Sequence, residues 1–137
     1  MAWLHATPKP PDGSIRAKMT GLPALVSRME QAMKSGVRPK MPPNPLPHVI
    51  DRLVEMGLTE AAGMGTVAIS WQTLAAWSSM TGIVLAPWEA RLIRTLSAAY
   101  LAESRGAESE NCPAPWRPIA DEHDRHVEQC ALEAVLG

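Results

Sequence analysis

ISWQTLAAWSSMTGIVLAPWEARLIRTLSAAYLAE, residues 69–103, holds two apolar-faced helical periods joined by a short break and marked by three tryptophans. Its reading decides the fold. Ser70 stands as an N-cap for WQTLAAWSSMTG, Leu74 and Trp77 share a face with Trp71 one turn earlier, and Gly82 ends the element. The second period opens with Pro87, whose fixed φ suits a first helical position, and with Glu89 where a carboxylate complements the helix dipole. Trp88, Leu92, Leu96, Ala99 and Tyr100 form its expected core stripe together with Ile93. The spacing predicts helices over 71–81 and 87–105, the latter bounded by Gly106, with Ile83 to Leu85 as an extended connector.

Outward from this hairpin the apolar period weakens. In LPHVIDRLVEMG, Leu46, Val49, Ile50, Leu53 and Val54 make one stripe and Gly57 follows as a stop, which predicts a helix over 46–56. Gly63 and Gly65 around Met64 predict a loop; no lysine of the phosphate-binding type follows them. Upstream, GLPALVSRMEQAMKSG repeats Leu22, Leu25, Val26, Met29, Ala32 and Met33 at helical spacing, with Pro23 in a first turn and Gly36 as a C-terminal cap. DEHDRHVEQCALEAVLG predicts an amphipathic C-terminal helix whose apolar side needs a neighbour to pack on.

Thirteen prolines divide the chain, because proline removes a backbone donor and cannot join a helix interior or a sheet ladder. VRPKMPPNPLP, with five of them, predicts a semi-rigid polyproline spacer. The expected organisation is an all-α small helical domain of three to five helices with extended proline-rich arms. Residues 1–45 form an N-terminal arm, helix and linker, residues 46–106 the helical core, and residues 107–137 a proline-broken arm with a final helix. Leu53, Trp71, Leu74, Trp77, Trp88, Leu92, Leu96 and Tyr100 are its expected core.

A length of 137 residues with an apolar fraction of 46% suits one small core. A formal net charge of −1 supplies neither the basic face that phosphate contacts require nor a polybasic membrane patch. No apolar run reaches the roughly 20 residues that span a bilayer, and MAWLHATPKPPDGS lacks the order of a signal peptide. A cytoplasmic location is expected, with Cys112 and Cys130 as free thiols. His123, His126 and Cys130 share a helical side, with Cys112 as a fourth zinc donor, but the spacing is unlike a paired-cysteine zinc hairpin. A nucleophilic cysteine–histidine pair on the same residues lacks an orienting third group. No catalytic residue, metal or cofactor is therefore assigned.

Five tryptophans and eight methionines in a chain without phenylalanine favour protein contacts. Trp3 and Trp116, set in proline-bearing segments, are the candidate partner anchors, joined by Met56 and Met64; Met29, Met33 and Met80 serve either the core or the same surface.

The order of several short blocks adds a family likeness. MAWLHATPKP, SRMEQAM, LVEMG, GMG, the long block from Ile69 to Glu108 and CPAPW together resemble small tail proteins of long-tailed bacteriophages of the tail assembly chaperone type. The likeness spans most of Ala2 to Trp116 and is most specific from Trp77 to Glu89. It implies a non-enzymatic protein of the host cytoplasm that keeps the tape-measure protein soluble, and contacts tail-tube subunits, during tail morphogenesis. Self-association is compatible with that role, and neither nucleic acid nor membrane is an implied partner. The alternative within the same resemblance is a structural minor tail protein, at the tail tip or tube end, retained in the virion. More distant is a small zinc- or DNA-binding regulator.

Overall fold

The computed structural model describes residues 1–18, 25–39, 41–115 and 122–136. Leu22 and Pro23 of the first expected helix, and Trp116, lie outside the described residues. In chain order the elements are α1 (Ala2–His5), α2 (Ile15–Lys18), α3 (Arg28–Lys34), α4 (Pro47–Glu55), β1 (Glu60–Ala62), β2 (Gly65–Val67), α5 (Trp71–Thr81), α6 (Pro87–Ala107) and α7 (Glu122–Leu136). The protein is mostly helical, with one small sheet among the described residues.

The central helices follow the local signals. Ser70 caps α5 by accepting from the Thr73 N–H at 3.2 Å, and Gly82 ends it at φ +70°, a left-handed conformation costly for residues with a Cβ. At the start of α6, Pro87 occupies the first turn and a Glu89 carboxylate oxygen accepts from the Ala86 N–H at 2.9 Å. This is the reaching-back half of a capping box, since alanine offers no side-chain acceptor. Gly106 does not stop the helix. α6 continues to Ala107, past the expected boundary, because an interior glycine weakens a helix without breaking it.

Two corrections concern the N-terminal half. Leu25 and Val26 precede α3 rather than belonging to it, because Ser27 and Glu30 form a full capping box that starts the helix at Arg28. The expected extended arm also begins with α1, which packs along α6 and against α3. A third correction qualifies the all-α expectation. The segment around Met64 is a β-hairpin with register Glu60↔Val67, Ala61↔Thr66 and Ala62↔Gly65, its two-residue loop formed by Gly63 and Met64. Strands of three residues are too short for alternation to show in the sequence.

The core sits where α4, α5 and α6 meet. Val49 and Leu53 from α4, Ile69 ahead of α5, Leu74 and Ile93 pack together, with Leu46, Met56, Leu58, Leu85, Leu92 and Leu96 partly buried around them. Ser97 fastens this core. Fully buried on α6, its Oγ donates to the Leu58 carbonyl at 2.6 Å and accepts from the Ile69 N–H at 2.9 Å. Leu58 itself is held at φ +65°, and its N–H donates to Leu53 O as the chain leaves α4. One hydroxyl thus joins α6 to the segment that follows α4 and the segment that precedes α5, and satisfies two backbone groups that burial would otherwise leave unpaired.

Candidate functional site

The strongest polar constellations are internal fasteners. Glu60 accepts from the Ser70 N–H at 3.1 Å, the Ser70 hydroxyl at 3.2 Å and the Thr73 hydroxyl at 2.5 Å, tying β1 to the first turn of α5. These donors, Thr73 first, hold its carboxyl below the usual range. Glu89 binds the Ala86 N–H and meets Arg52 at 2.6 Å and His48 at 3.3 Å, which locks α4 to α6 and likewise lowers its pKa, the backbone bond contributing most. Arg94 donates to Ile69 O at 3.1 Å and stacks on Trp71 with 4.6 Å to the ring centroid.

Arg28 has the same character. Almost wholly buried, it donates to the carbonyls of Ala107 at 2.6 Å, Ser109 at 2.8 Å and Trp3 at 3.1 Å, and lies 4.5 Å from the Trp3 ring centroid. Two of these acceptors lie at the C-terminal end of α6, where helical carbonyls lack intrahelical donors and a cation complements the dipole. The Trp3 indole N–H donates to Cys112 O at 2.9 Å, Lys9 pairs with Glu108 at 2.6 Å, and His5 Nδ1 lies 3.0 Å from the Tyr100 hydroxyl. The N-terminal segment is therefore a strap along the end of α6. Beneath it lies an apolar cavity of about 360 Å³ between Trp3 and Ala2 on one wall and Ile50, Leu58 and Leu96 on the other.

A second concavity is open and rich in methionine. Met29 and Met33, one turn apart on α3, face Val37, Pro39 and Met41 across a cleft of about 560 Å³. Met33 is 71% exposed and Met41 about half exposed, so these unbranched, polarizable side chains are presented to solvent. Met64, at the hairpin tip, is fully exposed, and Met80 nearly so.

The expected site residues scatter. Met64 projects from the hairpin, whereas Met56 packs on the core and Trp3 is half-buried under the strap contacts rather than free on an arm. Trp71 and Trp88, expected in the core, are each half exposed. Trp71 lies at the first position of α5, where Leu74 takes the inward side, and Trp88 lies one position ahead of the buried Glu89. Trp77 and Tyr100 are half-buried, and Leu53 and Leu74 are fully so. Cys130 Sγ lies 3.8 Å from His126 Nε2 on α7, and no group of three or more metal-binding side chains is present among the described residues. No helix of the described residues is long and apolar enough to cross a membrane. Arg28, Ser97 and Met41 were not singled out by sequence; the Ser27–Glu30 capping spacing and the methionines at i, i+4 were the available signals for the α3 region.

Comparison of the chain with protein-family models, curated proteins and solved structures gives no match.

Proposed function

We propose that the protein is a non-enzymatic assembly chaperone of a phage tail, binding apolar segments of the tape-measure protein, or of tail-tube subunits, while the tail forms. The observation that supports this best is the methionine cleft of Met29, Met33 and Met41. Its side chains are apolar and flexible, with Met33 and Met41 exposed and Met29 partly so, which suits a client presenting many different apolar segments rather than one shaped ligand. The polar groups best able to do chemistry, Glu60, Glu89, Ser97 and Arg28, are meanwhile engaged in holding elements together.

Co-expression with the tape-measure protein tests the reading. The wild-type chain should raise the soluble yield of the client and co-purify with it, and capture should persist at raised salt because the contact is apolar. Replacing Met29, Met33 and Met41 together with serine should lower that yield several-fold while helicity stays unchanged. Undiminished capture by the triple variant removes the cleft from the mechanism. A wild-type chain without effect on the client removes the chaperone reading itself. Presence in purified intact particles would favour the structural tail protein instead.

A further inference from the structure

Among the described residues two exposed helix faces stand out, and the sequences of the two differ in charge. The first is the outer stripe of α6, where Trp88, Arg91, Thr95, Ala98, Ala102 and Arg105 recur at three-and-four spacing and are all exposed. Its alanines leave a shallow floor between one aromatic wall and two cations. Arg94, stacked on the half-exposed Trp71, extends the same basic and aromatic surface toward α5.

The second face belongs to α7. From Gln129 to Leu136 every side chain is exposed, Leu132 at 61% and Val135 at 84%. The Gln129–Glu133 hydrogen bond of 3.1 Å marks its polar edge. The helix sequence contains Glu122, Asp124, Glu128 and Glu133 against Arg125 alone. A helix of this length is marginal in water by itself, so its apolar side calls for a covering surface. The two elements also match in length: the α6 stripe runs about 25 Å and α7 about 22 Å at the rise of an α-helix.

We propose that α7 of one copy docks antiparallel along the α6 stripe of a second copy, reciprocally, to form a twofold dimer. Leu132 and Val135 then cover Trp88, and Glu133 meets Arg91. The antiparallel direction sets the N-terminus of each α7 beside the C-terminal end of α6, which the helix dipoles favour. A second copy is the occupant because the same chain carries a basic stripe on α6 and, in sequence, an acidic α7 of similar length, both exposed among the described residues. The surface is separate from the methionine cleft and does not depend on the chaperone reading.

Sedimentation of the full chain over a range of concentrations tests this. Wild type should show a monomer–dimer equilibrium that weakens as salt rises. Replacing Leu132 and Val135 with aspartate, at positions already exposed, should abolish the dimer without loss of helicity in the core. Arg91→Glu should raise Kd about tenfold, and adding Glu133→Arg should restore it, because a reversed charge pair recovers what a single reversal removes. A wild-type chain monomeric at several hundred micromolar overturns the proposal. So does a dimer indifferent to the aspartate variant, or a charge swap that fails to restore affinity.

Discussion

The two ends of α6 are held by opposite means. Toward its N-terminal half, the helix is gripped by apolar packing, in which Ile93 is sealed among Val49, Leu53, Ile69 and Leu74. At its C-terminal end it is gripped by a cation, with Arg28 donating to the carbonyls of Ala107 and Ser109. Packing of the first kind is non-directional and scales with the area removed from water, so one missing side chain is felt by the whole cluster. The second kind is directional, and its loss should be felt locally. One helix therefore joins a cooperative core to a strap whose attachment is separable from it.

Ile93→Ala should have the largest effect, because it opens a cavity at the centre of the apolar cluster. A loss of about 2–5 kcal/mol is expected, seen as a lower midpoint in chemical denaturation with an unchanged m-value. Protection against hydrogen exchange should fall across α4, α5 and α6 together. A loss confined to α6 would mean that the three helices are not one cooperative unit.

Ser97→Ala comes next and crosses the comparison, since it breaks directional bonds inside the cooperative region. It leaves the Ile69 N–H and the Leu58 carbonyl buried without their partner, at a cost of about 2–4 kcal/mol. Ser97→Thr keeps the hydroxyl and separates that bond from local packing. If Ser97→Ala is neutral by denaturation, the hydroxyl does not fasten the core.

Arg28→Ala should cost less, about 1.5–3 kcal/mol, and its effect should be confined. Exchange should quicken at residues 2–6 and 107–112 while the amides near Ile93 keep their protection. Arg28→Lys should recover little, because a single ammonium does not reproduce a planar group that reaches several carbonyls and stacks on Trp3. Global unfolding of either variant would show that strap and core are one unit after all.

The same division explains how much could be seen in advance. Helices 4 to 6 announce themselves because caps, prolines, glycines and apolar period are local: Ser70, Gly82 and Pro87 act within a turn of where they stand. The strap does not, since Arg28 meets Ala107 across 79 positions and nothing in SRMEQAM indicates that an arginine will be buried. Trp3 shows the same limit: a proline-bearing segment suggests an extended arm, whereas its indole and carbonyl both have distant partners. Trp71 and Trp88 mislead in the other direction. Large apolar residues at helical spacing suggest a core, whereas smaller Leu74 and Ile93 fill the interior of this small domain. The methionine cleft needs Met41 to come back against α3 from beyond the turn at Gly36, which no local pattern reports.

Acid titration should produce the smallest effect and divide the two regions most finely. Burial holds His5 below its ordinary value of 6.5, so the strapped state binds fewer protons there than the released one. The contribution is fully present above pH 6.5 and is lost as pH falls through the lowered value. Because the ring is exposed on one side, the change is slight. Glu60 and Glu89 are held below their ordinary 4.5 by hydrogen bonds to the charged form, so their contribution persists above that pH and is lost only as acid drives it through their depressed values. Strap and core should consequently loosen in order: amides of residues 2–6 lose protection first, and those of α5 and α6 follow in the acid range. His5→Gln, which cannot take up a proton, should shrink the early step to the part carried by the Met1 amino group, which burial likewise holds below its ordinary 8.0, and leave the later one in place. If the two regions instead lose protection together at a single pH, the strap has no stability of its own to titrate, and Arg28 joins it to the core too tightly for the ends of α6 to be told apart.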